Sequence, residues 1–128
     1  MRVIICGSRT WVGAGIIAAR VRDFASDTIV ITGGAVGVDQ LAHSFAVEAG
    51  LSTEEYPADW KTYGRAAGPV RNAQMLDSGA DLVIAFWDGE SPGTKDMINK
   101  AKHRKVPTEI HYADGRHESS TYRSPSEE

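Results

Sequence analysis

Residues 29–39 read Ile-Val-Ile-Thr-Gly-Gly-Ala-Val-Gly-Val-Asp. Three β-branched residues in succession suit a strand covered on both faces, the usual state of a strand inside a parallel sheet. Gly33 and Gly34 end that run, and a helical pattern starts beside Gly37. Val38, Leu41, Ala42, Phe45, Ala46 and Ala49 share one face of this helix, and Gly50 stands just past its end. Strand, glycine turn and helix together make half of a β-α-β unit. Working outward, the same grammar recurs. Residues 3–6 and 82–86 are continuous apolar runs of strand length, each followed by glycine and a helical pattern. Ile16, Ile17, Val21 and Phe24 mark a helix ending near Ser26. Val70, Ala73 and Leu76 mark another, stopped by Gly79, and Met97, Ile98 and Ala101 a last one, ended before Pro107. Residues 52–56 and 108–112 mix polar and apolar side chains and suit edge strands.

This alternation calls for an α/β fold with right-handed crossovers and helices on both faces of the sheet. With the apolar strands central, the order is 3-2-1-4-5. The expectation is a single Rossmann-like three-layer domain with a five-stranded parallel sheet over residues 1–112, too short for two complete dinucleotide-binding halves. Residues 113–128 have almost nothing to bury and read as a disordered C-terminal tail.

The chain has 128 residues, 41% hydrophobic and 24% charged, an ordinary globular composition. Fourteen basic against 17 acidic side chains leave a net charge of -3, which disfavours nucleic-acid binding by bulk phosphate neutralisation. One cysteine excludes an internal disulfide framework. Without CxxC or HxxxH spacing no metal site is expected. No run of ~18 apolar residues spans a membrane and no leader is evident, so the expected location is cytoplasmic.

Ligands of open α/β sheets bind at the carboxyl edge where the strand order reverses, here between strands 1 and 4. Gly7, Gly33, Gly34, Gly37, Gly64 and Gly68 follow predicted strands, as do Gly89 and Gly93. Three segments should wall the crevice: Gly7-Ser8-Arg9, the 33–39 turn and residues 88–94. The 33–39 turn has the make-up of a phosphate cradle, since glycines allow close backbone approach and the helix start favours an anion. It serves equally as a tight strand-to-helix connection. Neither GxxxxGK[ST] nor GxGxxG occurs, so no nicotinamide or flavin cofactor is expected. Ser91-Pro92-Gly93-Thr94 opens the last helix as a second anion site, with Ser91 or Thr94 as its cap.

Arg9 and Arg71 are the candidate phosphate-gripping cations. Arg71, in Gly68-Pro69-Val70-Arg71-Asn72, is read in a first helical turn, where its charge opposes the dipole; a surface salt bridge is the alternative. Asp39 and Asp96 are also read in first turns. There they stabilise the helix start, hold ribose hydroxyls or act as acid or base. Asp88 and Glu90 flank the same crevice. Trp11, Trp60, Trp87 and Tyr63 stack on a nucleobase or pack under loops. Cys6 reads as a small buried side chain, and the absence of GxSxG gives acyl transfer no support.

Taken together, Gly7-Ser8-Arg9 with Trp11, the stretch from Gly33 to Ala42 (GGAVGVDQLA), ADW-x2-YG-x3-GPVRNAQM at 58–75 and SPGT at 91–94 resemble the YspA-like branch of the SLOG superfamily. The resemblance spans roughly residues 2–112. It implies a Rossmann-like fold and a nucleotide or nucleotide-derived phosphorylated ligand. The superfamily also contains the cytokinin-activating LOG phosphoribohydrolases, which cleave the base–ribose bond of nucleoside monophosphates, and the DNA-processing protein DprA. Arg71 is similar to the phosphoribohydrolases' helix arginine. Their PGGxGTxxE segment is shortened here, with Asp96 only approximately at the glutamate position. The resemblance thus leaves three readings open: N-glycosidic hydrolysis through Arg71, Asp96 and Asp39; non-catalytic sensing or sequestering of a nucleotide signal; and, less favoured, single-stranded DNA binding. A homodimer or higher homo-oligomer is a further expectation from related families.

Overall fold

The computed structural model describes residues 1–121. Strands β1 (Arg2–Gly7), β2 (Ile29–Thr32), β3 (Ser52–Glu55), β4 (Leu82–Trp87), β5 (Thr108–Tyr112) and β6 (His117–Ser120) form one sheet of order β3-β2-β1-β4-β5-β6. The first five are parallel, as their order in the sequence predicts, and β6 runs antiparallel to β5.

The continuous apolar runs are explained by burial on both faces. Val3 and Ile5 of β1, with Ile84 and Phe86 of β4, point to the layer of helices α1 (Ala14–Arg22) and α2 (Val38–Glu48). Ile4 and Cys6, with Val83 and Ala85, point to the opposite layer of α4 (Ala67–Asp77) and α5 (Pro92–His103). Helix α2 buries Val38, Ala42 and Ala46 one turn apart and ends at Gly50, whose φ of 76° only glycine adopts without strain.

Three features depart from the sequence expectation. Strand β6 lies inside the segment read as a tail. Its pairing runs from Thr108 opposite Ser120 to His111 opposite His117, and the His117 ring stacks at 6.1 Å on His111. His-Glu-Ser-Ser carries no apolar alternation, because this hairpin is held by the open backbone edge of β5 and not by a buried side-chain face. The rest of the expected tail, residues 122–128, lies outside the described residues. A short helix, α3 (Trp60–Tyr63), interrupts the connection after β3, with the Asp59 carboxylate accepting the Thr62 N–H at 3.1 Å. Helix α4 starts earlier than its apolar pattern suggests, running on from a 3₁₀ turn at Gly64–Ala66. Pro69 is accommodated in its first turn, where no N–H is needed. Arg71 therefore sits in the second turn, and the argument from an opposed dipole loses its force.

At the end of β1, Gly7 packs under α2. A Cβ there would overlap the Phe86 carbonyl oxygen and lie 2.7 Å from Val38 Cγ2. Gly7→Ala is expected to cost about 2–3 kcal/mol through overpacking, read as a lowered urea midpoint; an unchanged midpoint would show that the β1 end tolerates a side chain.

Candidate functional site

β1 leads to α1 on one face of the sheet, whereas β4 leads to α5 on the other. Their connections part at the carboxyl edge and open a crevice between the two strand ends. An inner hollow of about 350 Å³ occupies it, walled by Gly7, Arg9 and Thr10 from β1, Asp39 from α2, and Ser91 to Thr94 from the start of α5. Arg71, Asn72 and Met75 of α4 and Cys6 of β1 complete the lining. A second, outer hollow of about 350 Å³ is lined by Gly33, Gly34, Val36, Pro57, Ala58 and Trp60. Arg9, Ala35 and Arg71 line both.

The 33–39 turn is organised from within the protein. Asp39 Oδ2 accepts the N–H of Gly33 at 3.1 Å and of Ala35 at 3.2 Å, so these two amides meet the chain's own carboxylate and not a bound anion. Glu55 adds negative charge beside Gly34. Gly37 faces the backbone of Ser8 and Arg9, where a Cβ would lie 2.6–2.7 Å from their oxygens; its φ of 85° is a second demand for glycine. Asp39 is buried, at 6% exposure. Burial pushes its pKa up to about 6, against the opposing pull of the Ala35 and Gly33 amides and the Arg71 charge. Its Oδ1 accepts no hydrogen bond among the described residues.

Arg71 is fixed by neutral partners. Nη1 donates to the Gly33 carbonyl at 2.7 Å and, at the limit of hydrogen bonding, to that of Tyr56 at 3.5 Å; Nε donates to Asn72 Oδ1 at 3.1 Å. Nη2 has no partner among the described residues, and no carboxylate neutralises the guanidinium directly. Arg9 is exposed and likewise forms no ion pair among those residues. Two guanidinium groups without an ion-pair partner among the described residues thus share one wall.

At α5 the capping is inverted relative to expectation. Ser91 occupies the N-cap position but makes no side-chain cap. Asp88 instead accepts the N–H of Glu90 at 2.8 Å and of Ser91 at 2.7 Å, bonds that hold its pKa below the usual carboxylate range. The Ser91 hydroxyl donates to Asp88 at 2.8 Å, and the buried Ser8 hydroxyl accepts the Asp88 N–H at 3.0 Å. Ser8 is therefore a brace behind the crevice wall. The next amides, of Gly93 and Thr94, have no backbone acceptor among the described residues and belong to the inner lining.

Asp96 does not reach the hollow. It stands in the second turn of α5, where Oδ2 accepts from Asn72 Nδ2 at 3.0 Å and Oδ1 from Lys100 Nζ. Asn72, also bound to the Gly93 carbonyl at 3.2 Å, thereby links α4 to the start of α5. Of the tryptophans, only Trp60 lines the site. Trp11 packs edge-on to Phe86 at 5.7 Å, and Trp87 donates to the Ser91 carbonyl at 3.1 Å. Cys6 lines the floor, its thiol pushed well above its usual range by burial. Thr10, Pro57, Ala58 and Met75 are lining residues that sequence reasoning missed. They carry no chemistry-bearing group except the Thr10 hydroxyl, and only the fold brings them here.

The comparisons with known proteins agree with this architecture. The model of the YspA, cpYpsA-related SLOG family (YAcAr) matches residues 1–63. The Gene 61 protein of Mycobacterium phage D29 is 32% identical over 122 residues, spanning 88% of this chain and 97% of that protein. The chain belongs to the YspA-related SLOG family. In fold it is similar to DNA processing protein A (DprA) of Streptococcus pneumoniae, with a TM-score of 0.72 and 18% identity. That match covers 85% of this chain but 49% of the other, so the chain spans about half of DprA. The structure of TM1055 is similar at a TM-score of 0.64 and 20% identity, over 84% of this chain and 71% of that one. Can2 of Sulfobacillus thermosulfidooxidans, solved in complex with cyclic tetra-adenylate, matches at 0.51 and 10% identity, over 92% of this chain and 36% of that one. No helix among the described residues is long and apolar enough to cross a membrane.

The raised pKa of Asp39 makes a stability prediction. The folded state holds the proton more tightly than the unfolded chain, so stability falls as pH rises from about 4 through about 6. Asp39→Asn keeps an acceptor for both turn amides and removes this ionisation. Urea denaturation across that range should show the wild type losing on the order of 3 kcal/mol relative to the variant. Parallel pH profiles would contradict the assignment.

Proposed function

We propose that the protein binds a nucleotide or nucleotide-derived phosphorylated ligand at the carboxyl edge of its sheet. The observation that carries this reading is the shared wall of Arg9 and Arg71. An arginine side chain left without a carboxylate partner, in a chain of net charge -3, keeps its donors open to an anionic guest. Phosphate oxygens meet the Arg9 guanidinium and Arg71 Nη2, while the Gly93 and Thr94 amides at the positive end of α5 add donors from the facing side. Asp39 Oδ1 and the Thr10 and Ser91 hydroxyls supply acceptors for sugar hydroxyls. In this scheme Gly33 and Gly37 shape the turn, and Asp96 orients Asn72. The matched protein solved with cyclic tetra-adenylate supports a nucleotide-like ligand by fold analogy. DprA keeps nucleic acid in view, and a steep fall of affinity with salt in a gel shift would favour it.

A second reading, hydrolysis of a base–ribose bond, has one observation in its favour. Asp39 is a carboxylate that lines the hollow with one oxygen unengaged and a pKa of about 6. Beside the anomeric carbon, such a group stabilises an oxocarbenium-like transition state or activates water. Free base released from a panel of nucleoside monophosphates would establish turnover, and intact ligand recovered from the denatured protein would favour a sensor or sequestering protein.

Arg9 gives the cleanest test of binding, because it props no other element. Arg9→Ala should weaken nucleotide binding by roughly tenfold, the worth of one charge-assisted contact, with the melting temperature unchanged. Unchanged affinity in calorimetry would remove Arg9 from the site.

A further inference from the structure

We infer that the inner and outer hollows are two lobes of one site, shaped for a ligand with two nucleoside-sized parts joined through phosphate, and that Trp60 stacks on the ring in the outer lobe. The inference rests on the proposed role of Arg9 and Arg71 as the phosphate wall and goes beyond it to the ligand's overall plan. Each hollow holds about 350 Å³, and the residues they have in common include both arginines. Charge on the ligand is thus expected at its middle, with an uncharged part on either side.

Both lobes present more apolar than polar surface, and they differ in the groups set into it. The inner one offers Asp39 and the Ser91 and Thr94 hydroxyls beside Cys6 and Met75, a set suited to a sugar and the edge of a base. The outer one offers Val36, Pro57, Ala58 and the Trp60 ring, a set suited to a flat apolar face. Trp60 is 56% exposed and Val36 53%. Two large hydrophobic side chains left in water within one concave hollow indicate a surface that a guest covers. Asp59 caps the short helix that carries Trp60, and Gly68 keeps the space beside the ring open, since a Cβ there would stand 3.9 Å from Cη2. A single mononucleotide with its base on Trp60 and its phosphate on the arginine wall leaves the inner lobe unengaged. A second nucleoside unit engages it.

The test uses the full chain and three sets of probes: the 5′-monophosphates of adenosine, guanosine, cytidine and uridine, the matching dinucleotides whose one phosphate joins the two sugars, and a decanucleotide. Binding is followed by calorimetry and tryptophan fluorescence. At least one dinucleotide should bind roughly tenfold or more tightly than its mononucleotide, the worth of one base stacked on an aromatic ring, and should quench the fluorescence. Trp60→Ala should abolish that advantage, and Trp60→Phe should retain most of it. A mononucleotide that binds as tightly as its dinucleotide would overturn the two-lobed inference and leave the proposed function standing. Affinity that keeps climbing from dinucleotide to decanucleotide would also overturn it, marking a track for a strand. If none of the probes binds, the inference fails together with the reading beneath it.

Discussion

The site depends on one glycine residue placed between opposite charges. The Gly33 N–H donates to the buried Asp39 carboxylate, and the Gly33 carbonyl accepts from Arg71. Any side chain at Gly33 would run into the Arg71 guanidinium. Through this residue the end of β2 sets both the carboxylate that shapes the turn and the cation that faces the hollows. The two groups attract each other across Gly33 but form no ion pair. Amides bind Asp39 Oδ2 and carbonyl oxygens bind Arg71 Nε and Nη1, which leaves Asp39 Oδ1 and Arg71 Nη2 for a guest.

This arrangement separates the work of the glycine turn from that of the cations. A glycine-rich turn at a helix start is commonly a phosphate cradle because its amides point outward. Here Asp39 takes up two of those amides, and burial makes the carboxylate reluctant to ionise. Anion recognition passes instead to Arg9, Arg71 and the start of α5. Just before that helix Asp88 takes the Glu90 and Ser91 amides, while those of Gly93 and Thr94 in its first turn stay open to the crevice. In both turns an internal carboxylate decides which donors stay free, and so where along the rim a negative charge is welcome.

Much of the fold was legible in residues 3–6, 29–31 and 82–86, because a strand buried on both faces must be apolar at every position. The strand order followed from the polar character of residues 52–56 and 108–112. Strand β6 was not legible, since a hairpin held by backbone pairing leaves no mark in side-chain polarity. Helix α3 had a readable signal in Asp59, three residues before Thr62, but four residues are too few for apolar periodicity. The crevice and its three wall segments followed from topology. The direction of individual groups did not. Asp96 stands one turn too far along α5 and faces Asn72; Ser8 braces Asp88; and Trp60 faces the site while the half-buried Trp11 and Trp87 pack against the core. These outcomes depend on distances across elements remote in sequence, which spacing along the chain cannot report.

The central claim is that the arginine wall receives phosphate, and a crystal structure of the full chain with bound nucleotide tests it most directly. The account predicts a phosphate oxygen ~2.9 Å from Arg71 Nη2 and another at the Arg9 guanidinium, with the Asp39 contacts to Gly33 and Ala35 intact. A phosphate seated away from both arginines, or an Arg71 turned to pair with Asp39, would contradict it.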